Sequence, residues 1–260
     1  MDILYEIALK TKERVAESKH KLPLEQLIKM AEEIKKPPSF EAALTQPDIA
    51  FICEVKKASP SKGIIAPDFN PLAIAKEYEQ IGASAISVLT EPFYFQGADT
   101  YLKEIANQVN IPLLRKDFII DKYMIYEAKV LGASAILLIC ALLDQETLTR
   151  YITIAHEIGL DVLVEVHNEE EAKTARGTPA RIIGVNHRNL IDFTMDMTLS
   201  RKIKSLIPET CVFVAESGLE CAADINEMRS IKADAVLIGE SLMRHQDKAA
   251  KMRELRGEQP

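Results

Sequence analysis

Short apolar runs alternate with amphipathic stretches along most of the chain, and this alternation predicts a repeating strand–helix unit. Before residue 50 only the helical period is present. Ile3, Ile7 and Ala8 share a stripe over residues 3–18. After Pro23 a second stripe carries Leu24, Leu27, Ile28, Ala31 and Ile34 and stops near Lys36, because Pro37 and Pro38 cannot continue a helix. From residue 51 eight apolar runs follow: FICEV from Phe51, AISVL from Ala85, PLLR from Pro112, AILLI from Ala135, DVLVEV from Asp161, RIIGV from Arg181, CVFVA from Cys211 and AVLIG from Ala235. Their starts lie about 20 to 35 residues apart, the length that a strand, a loop, a helix and a return turn require. Helices are expected over 71–81, 100–109, 121–131, 144–157 and 200–206. Gly82, Gly132 and Gly159 stand where a left-handed residue ends a helix.

Eight such units predict an α/β fold, a single (β/α)8 TIM barrel. The expected organisation is one TIM-barrel domain over residues 1–260, with residues 1–48 as an N-terminal helical extension. An open, doubly wound sheet is the main rival. It usually has fewer strands and would need a glycine fingerprint after its first strand, where this chain reads KKASPSKG. Neither a flexible linker nor a low-complexity tract divides the sequence.

Side chains alternate faces along a strand, so parity sorts the polar residues at the ends of the runs. Ile52, Glu54 and Lys56 share a face, as do Leu114 and Lys116, Leu163 and Glu165, and Val212, Val214 and Glu216. Each series begins as core and ends as a charge. In a closed parallel barrel these charges converge on the C-terminal mouth, where carboxylates and ammonium groups can exchange protons with a substrate. In GVNHRNL (184–190), Asn186 and Arg188 have the inward parity and His187 the outward one. Arg188 suits a carboxylate because its planar fork donates two parallel hydrogen bonds. Gly218 in AESGL and Gly239 in LIGESLMR let backbone N–H groups approach an anion, and a helix starting near Ser241 adds its positive end. Loops after the last two strands are the usual phosphate seat of a barrel. The first loop, ASPSKG at 58–63, has the character of a flap, with Ser59 and Ser61 as donors and Lys62 too exposed for direct chemistry.

Composition changes this picture little. With 47% hydrophobic and 27% charged residues the 260-residue chain is an ordinary globular one, and its net charge of −7 argues against a nucleic-acid partner. Cys53, Cys140, Cys211 and Cys221 form no CxxC pair and read as reduced thiols. No apolar segment is long enough to span a membrane and the charged N-terminus is unlike a signal peptide, so a cytoplasmic location is expected. His156, His167, His187, Asp161 and Glu165 show no metal-ligand spacing; His167 and Glu165 share a face only where the strand continues past both.

Seven strings, in order, resemble the indole-3-glycerol phosphate synthase family: FICEVKKASPSKG (51–63), SVLTEPFYFQG (87–97), PLLRKDFIID (112–121), EVHNEEE (165–171), GVNHRNL (184–190), VAESGL (214–219) and ADAVLIGESLMR (233–244). The resemblance implies ring closure of 1-(2-carboxyphenylamino)-1-deoxyribulose 5-phosphate with loss of carbon dioxide and water, in tryptophan biosynthesis, with no cofactor and no metal. It implies that Lys116 is the general acid for the developing oxyanion and Glu165 the general base of dehydration. Lys56 would lie near the substrate phosphate and carboxylate, Glu54 would hold the acid–base network, and Asn186 and Glu216 would orient the sugar. Arg188 and Ser59 would take the anthranilate end, Phe93, Phe118 and Leu137 the aromatic ring, and Ser217, Gly218, Gly239, Glu240 and Ser241 the phosphate. His187 and Glu240 depart from the asparagine and serine that many relatives carry. The expected partner is a small phosphorylated substrate, with no nucleic acid and no membrane; a monomer is expected, with association with other tryptophan-pathway enzymes left open. Two other readings of the same mouth are a sugar-phosphate isomerase or Schiff-base aldolase using Lys116 or Lys56, and an inactive barrel serving as a scaffold.

Overall fold

A computed structural model describes residues 3–190 and 192–258. All eight apolar runs are strands: β1 Ala50–Val55, β2 Ala85–Leu89, β3 Leu113–Lys116, β4 Ala135–Ile139, β5 Asp161–Val166, β6 Ile182–Asn186, β7 Val212–Glu216 and β8 Ala235–Ile238. Every strand lies parallel to its neighbours, and β8 pairs with β1 to close the barrel. Helices Pro71–Gln80, Asp99–Ala106, Lys122–Val130, Gln145–Glu157, Glu169–Arg176, Leu199–Lys204, Ala222–Ser230 and Glu240–Arg244 follow the strands in turn, and Lys248–Arg256 is the last described helix. Asn70, Asp121, Asp144 and Asn168 cap four of these helices with side-chain oxygens that accept backbone N–H bonds. Gly82, Gly132 and Gly159 have φ of 83°, 92° and 79°, so three helices end on the left-handed residue their sequence predicts.

The core has two parts, divided by strand parity. Ile52, Leu114, Leu137, Leu163, Ile182, Val214 and Leu237 fill the barrel interior, while residues such as Phe51, Ile86, Val164 and Phe213 pack outward on the helices. Before the barrel come α1 (Ile3–Lys21), α2 (Leu24–Glu33) and α3 (Phe40–Leu44). The third helix was not expected. Ser39 caps it, and its Phe40 and Leu44, both fully buried, join the interior cluster and close the barrel's N-terminal end.

The buried stripe of α1 is Leu4, Ile7, Thr11 and Val15 rather than Ile3, Ile7 and Ala8. Burial at intervals of three and four residues traces one narrow face, and Ile3 and Ala8 fall on its margins. The α2 helix also ends sooner than expected: Ile34 is already extended, at φ −83° and ψ 125°, and 37% exposed. Among the described residues no helix is long and apolar enough to cross a membrane.

Candidate active site

The inward series end as their parity requires. Above Ile52, Leu114, Leu163 and Val214 stand Glu54, Lys116, Glu165 and Glu216, and all four line one cavity of about 420 Å³ at the C-terminal mouth. Register brings them together. Glu216 lies beside Asn186 on β6 and Leu237 on β8, and Glu165 lies beside Gly184. Gly184 has a steric role, because a Cβ there would run into the Glu216 carboxylate. Gly239 has a similar one: its Cβ would lie 2.5 Å from Glu54 Oε1 and 2.9 Å from Lys56 Nζ. Its φ of −117° is ordinary, so the close approach of those side chains, rather than a special backbone angle, accounts for glycine there.

Two cation–carboxylate groups share the floor. Lys116 Nζ donates to Glu165 Oε2 at 3.0 Å and lies 3.3 Å from Glu216 Oε2. Lys56 Nζ sits 2.6 Å from Glu54 Oε1. Burial alone would lower the Lys116 pKa, but the Glu165, Glu216 and Glu54 charges outweigh it and raise it. Burial likewise opposes ionisation of Glu165, yet Lys116 and His167 hold its carboxyl well below the ordinary 4.5. Glu216 goes the other way. Burial pushes it up to about 8; Lys116 opposes this and the neighbouring Glu165 charge adds to it. Neither Glu216 oxygen has a hydrogen bond among the described residues. One ammonium therefore serves two buried carboxylates, of which Glu165 keeps its charge and Glu216 holds a proton near neutral pH.

The rim carries the donors for an anion. Ser217 (φ 70°) and Gly218 (φ 74°) are both left-handed, which turns the chain sharply after β7. Ser217 is strained in that conformation and is held through its carbonyl, 2.9 Å from His187 Nδ1. His187 Nε2 lies 2.7 Å from Ser200 Oγ, so the outward-pointing histidine is a buried brace behind the rim. Ser241 Oγ donates to the Leu219 carbonyl at 3.2 Å. The Glu240 carboxylate is paired with Arg244 at 2.9 Å and lies 3.8 Å from Lys62 Nζ, which offsets its repulsion of an anion. Across the mouth, the Asn186 side-chain Oδ1 accepts from the Arg188 backbone N–H at 3.0 Å, and Arg188 Nη1 donates to Ser61 Oγ at 3.4 Å. That contact joins the loop after β6 to the first loop, where Ala58–Ser59 pairs with Gly63–Ile64 in a small hairpin. Among the described residues no group of three His, Cys, Asp or Glu side chains is arranged to hold a metal ion.

Of the residues expected at the site, Lys116, Glu165, Lys56, Glu54, Asn186, Glu216, Ser59, Phe118, Leu137, Arg188, Ser217, Gly218, Gly239, Glu240 and Ser241 all line the cavity. Phe93 does not. It is 57% exposed, and Phe95 lines the cavity instead, 5.9 Å from Phe118 between ring centroids. The Glu91 carboxylate accepts the backbone N–H groups of Phe93, Tyr94 and Phe95, winding this loop into a tight arch that reverses the expected orientation. Lys62, expected to be too exposed for direct chemistry, borders the same cavity with 47% of its side chain exposed. Ile3, Leu4 and Ile7 line it too, which makes α1 a wall of the site.

The sequence profile of indole-3-glycerol phosphate synthase matches residues 4–255. An indole-3-glycerol phosphate synthase of Ruminiclostridium cellulolyticum is 51% identical over 257 residues, covering 98% of this chain and 99% of the relative. One from Aliarcobacter butzleri is 50% identical over 246 residues, covering 93% and 94%. Among solved structures, 3-hexulose-6-phosphate synthase from Salmonella typhimurium superposes with a TM-score of 0.63 at 14% identity, over 80% of this chain and 97% of that one. This likeness speaks for the barrel fold alone.

Proposed function

The chain belongs to the indole-3-glycerol phosphate synthase family, and from that premise we propose how its mouth performs ring closure, decarboxylation and dehydration. Lys116 is the general acid. Its ammonium protonates the carbonyl oxygen as the aromatic carbon attacks. The carboxylate then leaves as carbon dioxide, and Glu165 removes the proton from the carbon beside nitrogen as water departs.

The observation that carries this reading is the Lys116 ammonium shared between Glu165 at 3.0 Å and Glu216 at 3.3 Å. A donor and an acceptor in direct contact can restore one another after each proton transfer. Glu216, largely neutral, orients the sugar without adding a second full negative charge near an anionic substrate. Lys56, held by Glu54, faces the substrate phosphate and carboxylate, and Asn186 orients the sugar from the neighbouring strand. Arg188 and Ser59 take the anthranilate carboxylate, and Phe118 and Leu137 enclose the ring with Phe95. Ser217, Gly218, Gly239, Glu240 and Ser241 seat the phosphate through backbone N–H groups, the Ser241 hydroxyl being already engaged with the Leu219 carbonyl.

The chain acts as a single barrel domain with residues 1–48 as its extension, in keeping with α1 forming a wall of the cavity and α3 closing the opposite end. We read it as a cytoplasmic monomer able to associate with other enzymes of the pathway.

The test is a single-turnover assay of indole fluorescence with the carboxyphenylamino-deoxyribulose phosphate, comparing wild type, Lys116→Ala and Glu165→Gln. Each variant is expected to lose about 10²- to 10⁴-fold in turnover while remaining folded. A near-normal rate in either removes its assigned role.

A further inference from the structure

Glu165 has two oxygens, and the acid–base pair uses only Oε2. Oε1 lies 3.2 Å from Nε2 of His167, an ion-pair contact outside hydrogen-bond geometry, and Nε2 has no hydrogen-bond partner among the described residues. The other ring nitrogen, Nδ1, lies 3.1 Å from Glu171 Oε2. The imidazole is therefore set between two carboxylates, with only 9% of its side chain exposed.

Local sequence fixes this geometry. His167 is two residues past Glu165 and so faces the same way, although β5 ends at Val166. Asn168 then caps the helix Glu169–Arg176 by accepting the Glu171 N–H at 2.9 Å, and Glu171 reaches back to accept the His167 backbone N–H at 2.8 Å. Asn168 Nδ2 donates to the other Glu171 oxygen at 2.7 Å. Glu171 is thus held by the cap and cannot swing away from the ring.

Reaction stoichiometry gives such a histidine a purpose. Two protons must reach the carbonyl oxygen before it leaves as water, and one is removed from the carbon beside nitrogen. The bond to the carboxylate breaks with its electron pair returning to the ring, which releases carbon dioxide and no proton. Each turnover therefore takes up one proton. The proton drawn from carbon can return from Glu165 to Lys116; a group in contact with that pair behind the cavity wall can hold the other while substrate fills the mouth.

We propose that His167 is the proton reserve of this site, giving its Nε2 proton to Glu165 Oε1 so that Lys116, spent in protonating the carbonyl oxygen, is recharged and can protonate the hydroxyl as it leaves as water. The proposal rests on the reading of Lys116 and Glu165 as the acid–base pair. The N–H bond of the imidazolium breaks as the O–H bond on Glu165 forms. A half-turn of the carboxyl about its Cγ–Cδ bond then presents that proton to the Lys116 amine. Neutral His167 keeps its Nδ1 proton on Glu171 and regains the Nε2 proton from solvent by way of Glu165, which lines the mouth, once product has left. It acts through Glu165 and is a positioning residue rather than one that touches substrate.

The charged and titratable groups facing His167 agree with this role. Glu165 faces it from β5 with Lys116 of β3 behind, Glu171 faces it from the following helix, and the Cys140 thiol lies near both carboxylates. Burial alone would lower the His167 pKa, but the two carboxylates outweigh it and push it up to about 9, so the ring is charged at neutral pH.

The test measures kcat and KM from pH 6 to 10 for wild type, His167→Gln, His167→Ala, Glu171→Gln and Glu165→Gln, with the fold checked by thermal unfolding. His167→Gln is expected to lower kcat about tenfold at neutral pH with KM little changed, and to lose the fall in kcat that wild type shows above about pH 9. Added imidazole restores activity to His167→Ala in proportion to its protonated fraction. Glu171→Gln moves the alkaline fall to lower pH, because the imidazolium has lost one of its two carboxylates; this readout serves if the His167 variants do not fold. Glu165→Gln keeps its loss of about 10²- to 10⁴-fold with or without imidazole. Wild-type kcat and pH profile in the His167 variants beside an impaired Glu165→Gln overturn the reserve and leave the base assignment standing. Reduced activity in His167→Ala that ignores imidazole, with an unshifted profile in Glu171→Gln, reduces the histidine to packing. A near-normal Glu165→Gln overturns the base assignment and the reserve with it.

Discussion

Three consecutive residues of β3 and the turn after it build two different kinds of charged cluster. Arg115 and Asp117 point out toward the helices, and Lys116 points into the mouth. Arg115 is fully buried, yet its guanidinium donates to Asp99 and Glu127 at 2.8 Å each, to the Met124 carbonyl at 3.0 Å and to Thr90 at 3.3 Å. Asp117 accepts two bonds from Arg14 of α1, one from the Thr90 hydroxyl and one from the Phe118 backbone N–H. Every charge in that cluster is answered. One residue away, Lys116 is divided between two carboxylates, and Glu216 has no hydrogen bond among the described residues. A buried cluster with its bonds filled holds structure, whereas one left short of partners keeps capacity for a substrate.

The contrast predicts that the two clusters fail differently. Arg115→Ala leaves Asp99, Glu127 and Asp117 without their shared cation, and removing one partner of a buried network costs about 3–5 kcal/mol. Urea unfolding should show a loss of that size, and α1 should loosen as well because Asp117 anchors Arg14. Lys116→Ala should lower turnover by about 10²- to 10⁴-fold with a smaller loss of stability, since Glu216 is already largely neutral. Equal destabilisation by both variants would erase the distinction.

A smaller effect is expected from Gly184→Ala, because the new methyl group must displace the Glu216 carboxylate. Overpacking of this kind costs about 1–3 kcal/mol. Turnover should fall about tenfold as the Lys116 contacts shift, while KM for the substrate changes less. If stability falls and kcat does not, the placement of Glu216 is a matter of packing only.

Much of this site could be read in the sequence because a strand's period of two leaves little freedom. Once FICEVK, PLLRK, DVLVE and VFVAE were strands of one barrel, the facing of Glu54, Lys56, Lys116, Glu165 and Glu216 followed. Outside the strands that rule fails. Phe93 and Phe95 cannot be told apart until Glu91 gathers three backbone N–H groups and bends the loop. The α3 helix, five residues long, is too short for a periodic signal, although Ser39 before Phe40 marks its start. His167 had the right parity. What parity could not supply was the end of β5 or the cap that brings Glu171 back onto the ring. Likewise, nothing in the period of α1 distinguishes residues facing helices from those facing a cavity, so its part in the site needed the three-dimensional arrangement.

The smallest effect concerns stability against pH, and it probes the under-bonded side of the comparison directly. Glu216 titrates near its ordinary 4.5 in an unfolded chain and near 8 in the fold, where burial favours the neutral acid. Between those values the folded protein binds more protons at this position than the unfolded one, so stability falls as pH rises through the window. The slope from one group approaches about 1.4 kcal/mol per pH unit at most. His167, raised from 6.5 to about 9, adds a fall of the same sign over its own window, so the wild-type curve alone cannot assign either. Glu216→Gln separates them, because the amide matches the neutral acid in shape and does not titrate. Denaturant unfolding between pH 5 and 8 should show wild type losing stability relative to Glu216→Gln as pH rises. Parallel curves would mean that Glu216 is ionised in the fold like Glu165, and that Lys116 neutralises a true pair of charges rather than one charge and one proton.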